Sequence, residues 1–313
     1  MHDRSIRLIS AVVLLVFTLF GCGGNKPAEI AESATEISPS GQFSREMEAV
    51  RPFFSPMPEP GPTDWLASFN EPGQTFDEYL SSNPTVPTDE RKTLYVLPLG
   101  KFTDAQFDAI KITSEYLQAF FGQQVVLLPT QVIDRPLRPK DRRISQYGGN
   151  EQIRTGYFLE DVLPRQLKPD AAALIAFTNE DLYPDESMNY VFGQASFENR
   201  VGVWSLFRLH DGADRQTFIL RTIKIAAHET GHMFSMHHCT KYNCVMSGSN
   251  HLAETDSHPV DACPECMAKI CWFSHVAPAE RYRRLAEVCR KNGLSKEADE
   301  FERKASTVKA LSN

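Results

Sequence analysis

The chain has 313 residues, 42% of them hydrophobic, enough for a substantial core in one large or two modest domains. Its formal charge is -7, and residues 1–21 hold one acid and two bases (Asp3, Arg4, Arg7), so the remainder is one unit more negative still. That balance excludes a broad cationic face, and no nucleic-acid partner is expected.

At the amino terminus, His2, Arg4 and Arg7 precede an apolar run from Leu8 to Phe20, which ends at Gly21-Cys22-Gly23-Gly24. This is a signal-peptide layout, and the run falls short of the roughly 20 residues a membrane-spanning helix needs. Leu19-Phe20-Gly21-Cys22 resembles a relaxed bacterial lipobox, with Phe20 where a small residue is usual. The expectation is therefore a signal peptide over 1–21, cleavage before Cys22, acylation of Cys22, and a lipoprotein held on a membrane of the bacterial cell envelope. Plain secretion and an uncleaved anchor are the alternatives. Residues 23 to about 60 are rich in Glu, Ser, Pro, Ala and Gly without period and read as a tether. The expected organisation is anchor and tether over 22–63, one catalytic domain over 64–290 and a charged tail over 291–313.

Within the domain, Thr93 to Leu97 predicts a strand, and Thr103-Asp-Ala-Gln106 a helix cap leading into the face Phe107, Ile110, Ser114, Leu117, Phe121. Gln124 to Leu128 reads as a second strand, 129–149 as a long connection, and Ile153 to Leu167 as a helix. Ala171 to Phe177 is apolar enough for an interior strand. Tyr190 to Phe197 and Val201 to Phe207 flank the turn Glu198-Asn199-Arg200, and the first of these could form an edge strand. The pattern is helical from about Phe218 through Met233 and again over Pro278 to Cys289, with a basic face at Arg281, Arg283 and Arg284. The result is an α/β class with a small mixed sheet.

The chemistry concentrates in His228-Glu-Thr-Gly-His232 and Met-Phe-Ser-Met-His-His238. Positions i and i+4 share a helix face, so His228 and His232 can offer nitrogens to one ion, while Glu229 lies beside it without joining the coordination sphere. A catalytic zinc with three protein ligands keeps one position open, and His238 fits the third place if the helix ends near Phe234; His237 is its local competitor. Glu229 would take a proton from water and deliver it to a departing amine, which predicts zinc-dependent hydrolysis of a peptide or protein substrate. A peptide-binding or assembly module that merely retains the zinc site is the competing expectation. Cys239, Cys244, Cys263 and Cys266 could hold a second, tetrahedral zinc, or pair as disulfides if the chain is exported. Cys271 and Cys289 could form a disulfide or remain two buried thiols, and Trp65 and Phe76 read as core.

These pieces, His228-Glu-Thr-Gly-His232, His238-Cys239, Cys244-Val-Met246 and Cys263-Pro-Glu-Cys266, together with Asp64-Trp65-Leu66, Gln74-Thr75-Phe76 and Val191-Phe192-Gly193-Gln194-Ala195, resemble the archaemetzincin family of zinc metallopeptidases. The resemblance implies a metzincin-like zincin: a small twisted mixed sheet, a zinc-binding active-site helix and a smaller carboxy-terminal subdomain. By position it gives His228, His232 and His238 to a catalytic zinc, Glu229 to proton transfer, Met246 to packing below the metal, and Cys239, Cys244, Cys263 and Cys266 to a structural zinc, two ions per chain. Ser235 stands where metzincins usually place Gly, at a turn where a side chain is expected to be strained.

Overall fold

The computed structural model describes residues 39–312 except 147, 197 and 198. The signal-peptide, lipobox and Cys22 expectations lie outside the described residues. In chain order the elements are α1 (Ser44–Val50), α2 (Trp65–Ser68), α3 (Phe76–Ser81), β1 (Thr93–Leu99), α4 (Asp104–Phe121), β2 (Gln124–Leu127), β3 (Arg142–Ile144), β4 (Glu151–Arg154), β5 (Ala171–Thr178), β6 (Asp181–Tyr183), β7 (Gly193–Ser196), β8 (Val201–Ser205), α5 (Arg215–Met233), α6 (Leu252–Ser257), α7 (Pro264–Ser274), α8 (Pro278–Lys291) and α9 (Ser295–Lys309).

The sheet organises around β5, whose residues are all buried. An unbroken apolar run is what a strand covered on both faces requires. Its side chains alternate: Ala173, Ile175 and Phe177 enter the larger core with α4 and α5, while Leu174 and Ala176 face the smaller core with Ile153, Phe158 and Leu163. The strand order is β2-β1-β5-β8-β7; β1, β2, β5 and β8 are parallel, and β7 closes one edge antiparallel to β8. The mixed sheet is thus as expected, and the edge strand expected over 190–197 is present as Gly193–Ser196. The expected box at α4 also forms, with Thr103 N–H donating to Gln106 (2.9 Å) and Gln106 N–H to Thr103 Oγ1 (3.3 Å).

Several expectations change. The connection over 129–149 contains β3, which joins β4 and β6 in a second sheet of order β3-β4-β6. β3 shows no apolar alternation because it is a surface edge, held by Arg142 to Glu151 (2.9 Å) and Arg143 to Gln152 (2.9 Å), with Ile144 exposed. Ile153 belongs to β4, and the following chain forms a six-residue π-helix over Tyr157–Val162 and a 3-10 turn over Leu163–Arg165 in place of a regular α-helix. Pro164 lacks the N–H that a longer helix would need.

The packed body also extends beyond 64–290 on both sides. Phe43, Val50 and Phe54 enter the main core from what read as tether, and Ser55 and Met57 exchange backbone hydrogen bonds with Asn243 and Lys241. In α9, Ala298, Phe301, Lys304 and Val308 are buried, so this segment is core rather than solvated tail. Arg281 is 1% exposed, donating to Phe120 O (3.0 Å) and Asp261 (3.2 Å), and is not part of a basic face. Arg283 and Arg284 pair with Glu280 instead (2.7 and 2.8 Å). Among the described residues no helix is long and apolar enough to cross a membrane.

Candidate active site and metal centres

α5 starts where Asp214 accepts the Thr217 N–H (2.7 Å) and ends at Phe234, so His228 and His232 fall on its last two turns, one above the other. Ser235 follows with φ 61°, the left-handed turn that glycine would adopt freely. This turn is anchored on both sides: Ser235 Oγ accepts the Thr85 N–H (3.0 Å), and Gln74 donates to Ser235 O (3.3 Å) while accepting the His237 N–H (3.2 Å). The reversal brings His238, and not His237, beside the other two imidazoles. One nitrogen from each of His228, His232 and His238 lies within 4.8 Å of the others.

The outer nitrogens of these rings are all committed. His228 Nδ1–H donates to Val245 O (2.9 Å), His232 Nδ1–H to Met236 O (2.7 Å), and His238 Nδ1–H to Glu71 (2.8 Å). Carbonyl and carboxylate oxygens can only accept, which fixes the tautomer and turns each Nε2 lone pair inward. The Nε2 atoms of His228 and His232 are 3.0 Å apart, so two unprotonated nitrogens face each other. A cation between them removes that repulsion, and ligands about 2.0–2.1 Å from a tetrahedral zinc stand little farther apart than this. Burial, then the neighbouring imidazoles, holds His228 well below its ordinary pKa, and burial with His238 lowers His232 to about 4. Both are therefore neutral, the form that binds a metal.

Glu229 borders the same recess as His228. Loss of water around its carboxyl raises its pKa to about 7, suited to a group that must take up and release a proton near neutral pH. Edge strand β7 lies against it: a Cβ on Gly193 would sit 3.6 Å from Glu229 Cγ. Ser205 N–H bonds to Phe192 O, and Gly193 is opposite Trp204. By antiparallel alternation, the backbone N–H and C=O of Gly193 and Ala195 face away from β8, toward the open edge.

Beneath the helix, Met246 is fully buried against Gly231, where an added Cβ would meet its Sδ at 2.6 Å. The glycine thus permits this close approach. Met246 O accepts the Cys239 N–H (2.8 Å), tying this layer to the cysteines. Sulfur atoms of Cys239, Cys244, Cys263 and Cys266 lie within 4.8 Å of one another, with Cys239 and Cys263 at 3.6 Å. Disulfide sulfurs would be about 2.05 Å apart, whereas thiolates about 2.3 Å from a shared tetrahedral zinc would be separated by about 3.8 Å. Burial pushes the Cys244 and Cys263 thiols up, so four thiolates here need a cation. Backbone N–H groups of Cys263 (3.2 Å) and Met246 (3.4 Å) donate to Cys244 Sγ. A histidine cluster and a separate four-cysteine cluster are thus both fitted to metal. Cys271 and Cys289 are separate buried thiols.

Phe76 is core, as expected, but Trp65 is not simply so. It stacks on Phe69 (4.1 Å), meets His238 edge-on (5.0 Å) and donates from Nε1 to Glu71 (3.0 Å). Glu71 and Gln74 had no functional reading in the sequence. Their partners just after the end of α5, His238 and Ser235, lie more than 160 positions away, and no local spacing announces such contacts.

The sequence profile of Peptidase family M54 matches residues 161–271. Archaemetzincin-2 of Mus musculus is 30% identical over 292 residues, covering 79% of this chain and 80% of that protein. Archaemetzincin of Archaeoglobus fulgidus is 30% identical over 177 residues, covering 56% of this chain and 98% of its own length. Among solved structures, archaemetzincin from Methanopyrus kandleri is 27% identical with a TM-score of 0.49, over 61% of this chain and 98% of that one. With a relative at this identity spanning nearly four-fifths of both chains, the chain belongs to the archaemetzincin family, the M54 zinc metallopeptidases.

Proposed function

We propose that this zinc-dependent peptidase holds its catalytic ion with His228, His232 and His238 and moves the reaction's proton with Glu229. The observation that carries this reading is the commitment of three Nδ1–H groups to Val245 O, Met236 O and Glu71, which leaves three Nε2 lone pairs converging on one point. When bound, zinc supplies Lewis acidity, making a water acidic near neutral pH and polarising a peptide carbonyl. The chain's residues do the rest. An extended substrate adds to the open edge of β7 through the main chain of Gly193 and Ala195, which sets the scissile bond beside Glu229. Glu229 accepts the proton of the attacking water and returns it to the leaving amine. Met246 packs under the helix and keeps the two α5 histidines in register. Cys239, Cys244, Cys263 and Cys266 hold a second zinc with a closed shell and an architectural role, for a total of two per chain.

The amino-terminal reading rests on sequence alone: a signal peptide over 1–21, an acylated Cys22 as the mature first residue, and a membrane-anchored enzyme of the bacterial cell envelope. Mass spectrometry of the mature amino terminus tests it, and an unmodified terminus elsewhere rejects it. The catalytic reading is tested with Glu229→Gln, assayed on a diverse peptide library beside chelated and zinc-restored wild type. Near-wild-type turnover by the purified variant removes Glu229 from the mechanism.

A further inference from the structure

Two recesses border the histidine cluster, each lined by different members of it. The larger, of about 500 Å³, is bordered by His232, His238, Ser235, Glu71 and Gly73. The smaller, of about 70 Å³, is bordered by His228, Glu229, Phe192, Val245, Thr255 and Lys224. Lys224 lies one turn before His228 on α5 and therefore on the same face.

This lysine is 8% exposed, yet among the described residues its hydrogen bonds go to backbone oxygens and none to a carboxylate. Its Nζ donates to the backbone oxygens of Thr255 and Asp256, both at 3.1 Å, which uses two of an ammonium's three donors. The Asp256 carboxylate is taken by Arg221 through two bonds (2.9 and 2.7 Å). His258, also on the recess, faces Asn243 Oδ1 (2.6 Å) and Gly248 O (3.3 Å) and supplies no negative charge. Buried lysines are almost always paired, because an uncompensated charge out of water is costly. Desolvation accordingly lowers Lys224 to about 8. The carboxylates of Asp256 and Glu297 act on it electrostatically, but neither is in ion-pair contact with it among the described residues, so a buried cation bordering the recess beside the proposed proton carrier keeps a donor to spare. A recess of about 70 Å³ admits a group as small as a carboxylate.

We propose that Lys224 is a specificity determinant, and that the small recess selects substrates carrying a carboxylate on the residue next to the scissile bond. Either the short side chain of an acidic residue or the free carboxyl of a chain end supplies this chemistry. The proposal rests on the assignment of the cleft to peptide cleavage, and its test separates the two. Wild-type protein loaded with zinc is given matched peptides with Asp, Asn or Ala on either side of the cleaved bond, each ending in a free acid or an amide. Asp should be preferred over Asn by about 10- to 100-fold in kcat/KM, the worth of one hydrogen bond to a charged group. If the chain end is the source, the preference appears between acid and amide instead. In Lys224→Gln the ratio falls toward one, whatever happens to the absolute rates. Equal cleavage of all these peptides by wild type, or a preference that survives in Lys224→Gln, overturns the proposal. Binding of the same peptides to Glu229→Gln protein gives a readout that needs no turnover. Asp-over-Asn discrimination in binding without cleavage by wild type sinks the peptidase assignment of the cleft and leaves the role of Lys224. Absence of discrimination in binding and in rate sinks the role of Lys224.

Discussion

The histidine and cysteine clusters are separated by a single peptide bond, His238 to Cys239, yet they are built on opposite terms. The four thiols are 0–7% exposed and come from chain that folds around them. The imidazoles border open recesses, and each is steadied from behind by an oxygen, from the turn just after α5 for His232 and from more distant chain for His228 and His238. A closed shell needs only its ligands and exclusion of water. An open one must be held rigid by groups that never touch the ion, because the free position cannot contribute.

Metal stoichiometry breaks the comparison most directly. Cys244→Ala should lose the cluster ion and, with it, the Val245 and Met246 carbonyls that hold His228 and Cys239, so both zinc ions, thermal stability and activity fall together. His238→Ala should lose one zinc per chain with the cysteine site and fold retained. Elemental analysis with thiol mapping decides this; one zinc in wild type with all four cysteines oxidised removes the second metal from the account.

Glu229→Gln should keep the histidine-site zinc and lower turnover by about 10²–10⁴-fold, since a proton carrier is lost without loss of a ligand. Depleted zinc would instead make Glu229 part of the metal's support. Glu71→Gln weakens that support from behind His238, and metal affinity or activity should fall by about 10- to 100-fold while the cysteine zinc is untouched. Titration against a competing chelator measures it, and unchanged affinity and rate would remove Glu71 from the open site's scaffold. Ser235→Gly is expected to do least. Relief of a left-handed non-glycine residue is worth about 1–2 kcal/mol, opposed by loss of the bond to Thr85 N–H at about 1 kcal/mol and by greater freedom of the unfolded chain. Thermal melts should differ little from wild type, and loss of zinc would show that the serine hydroxyl holds the turn.

What could be read in the sequence is what is local. His228 and His232 meet because a helix repeats, Cys263 and Cys266 because three positions span one turn, and β5 is interior because Ala171 to Phe177 has no polar break. The turn at Ser235 was expected from the resemblance to metzincins, which usually place Gly at that position. Glu71, Gln74 and Trp65 were not, since what they do is decided by a fold that returns the early chain to the end of α5. Charge misled in the same way. Arg281 and Lys304 read as surface residues, whereas both are buried on Asp261, at 3.2 and 3.0 Å. Phe43 and Phe54 sat in a composition typical of linkers, and only tertiary packing shows that they enter the core.

The hold of Asp261 on Lys304 has one more consequence. Proteolysis requires a segment to leave its helix and lie extended, as the β7 edge would demand of any substrate. α9 is resistant to that, because peeling it away would strip a buried carboxylate of an ammonium and expose Phe301 and Val308. Limited proteolysis of the folded chain should therefore spare α9, held by an ion pair whose carboxylate sits two residues from Cys263.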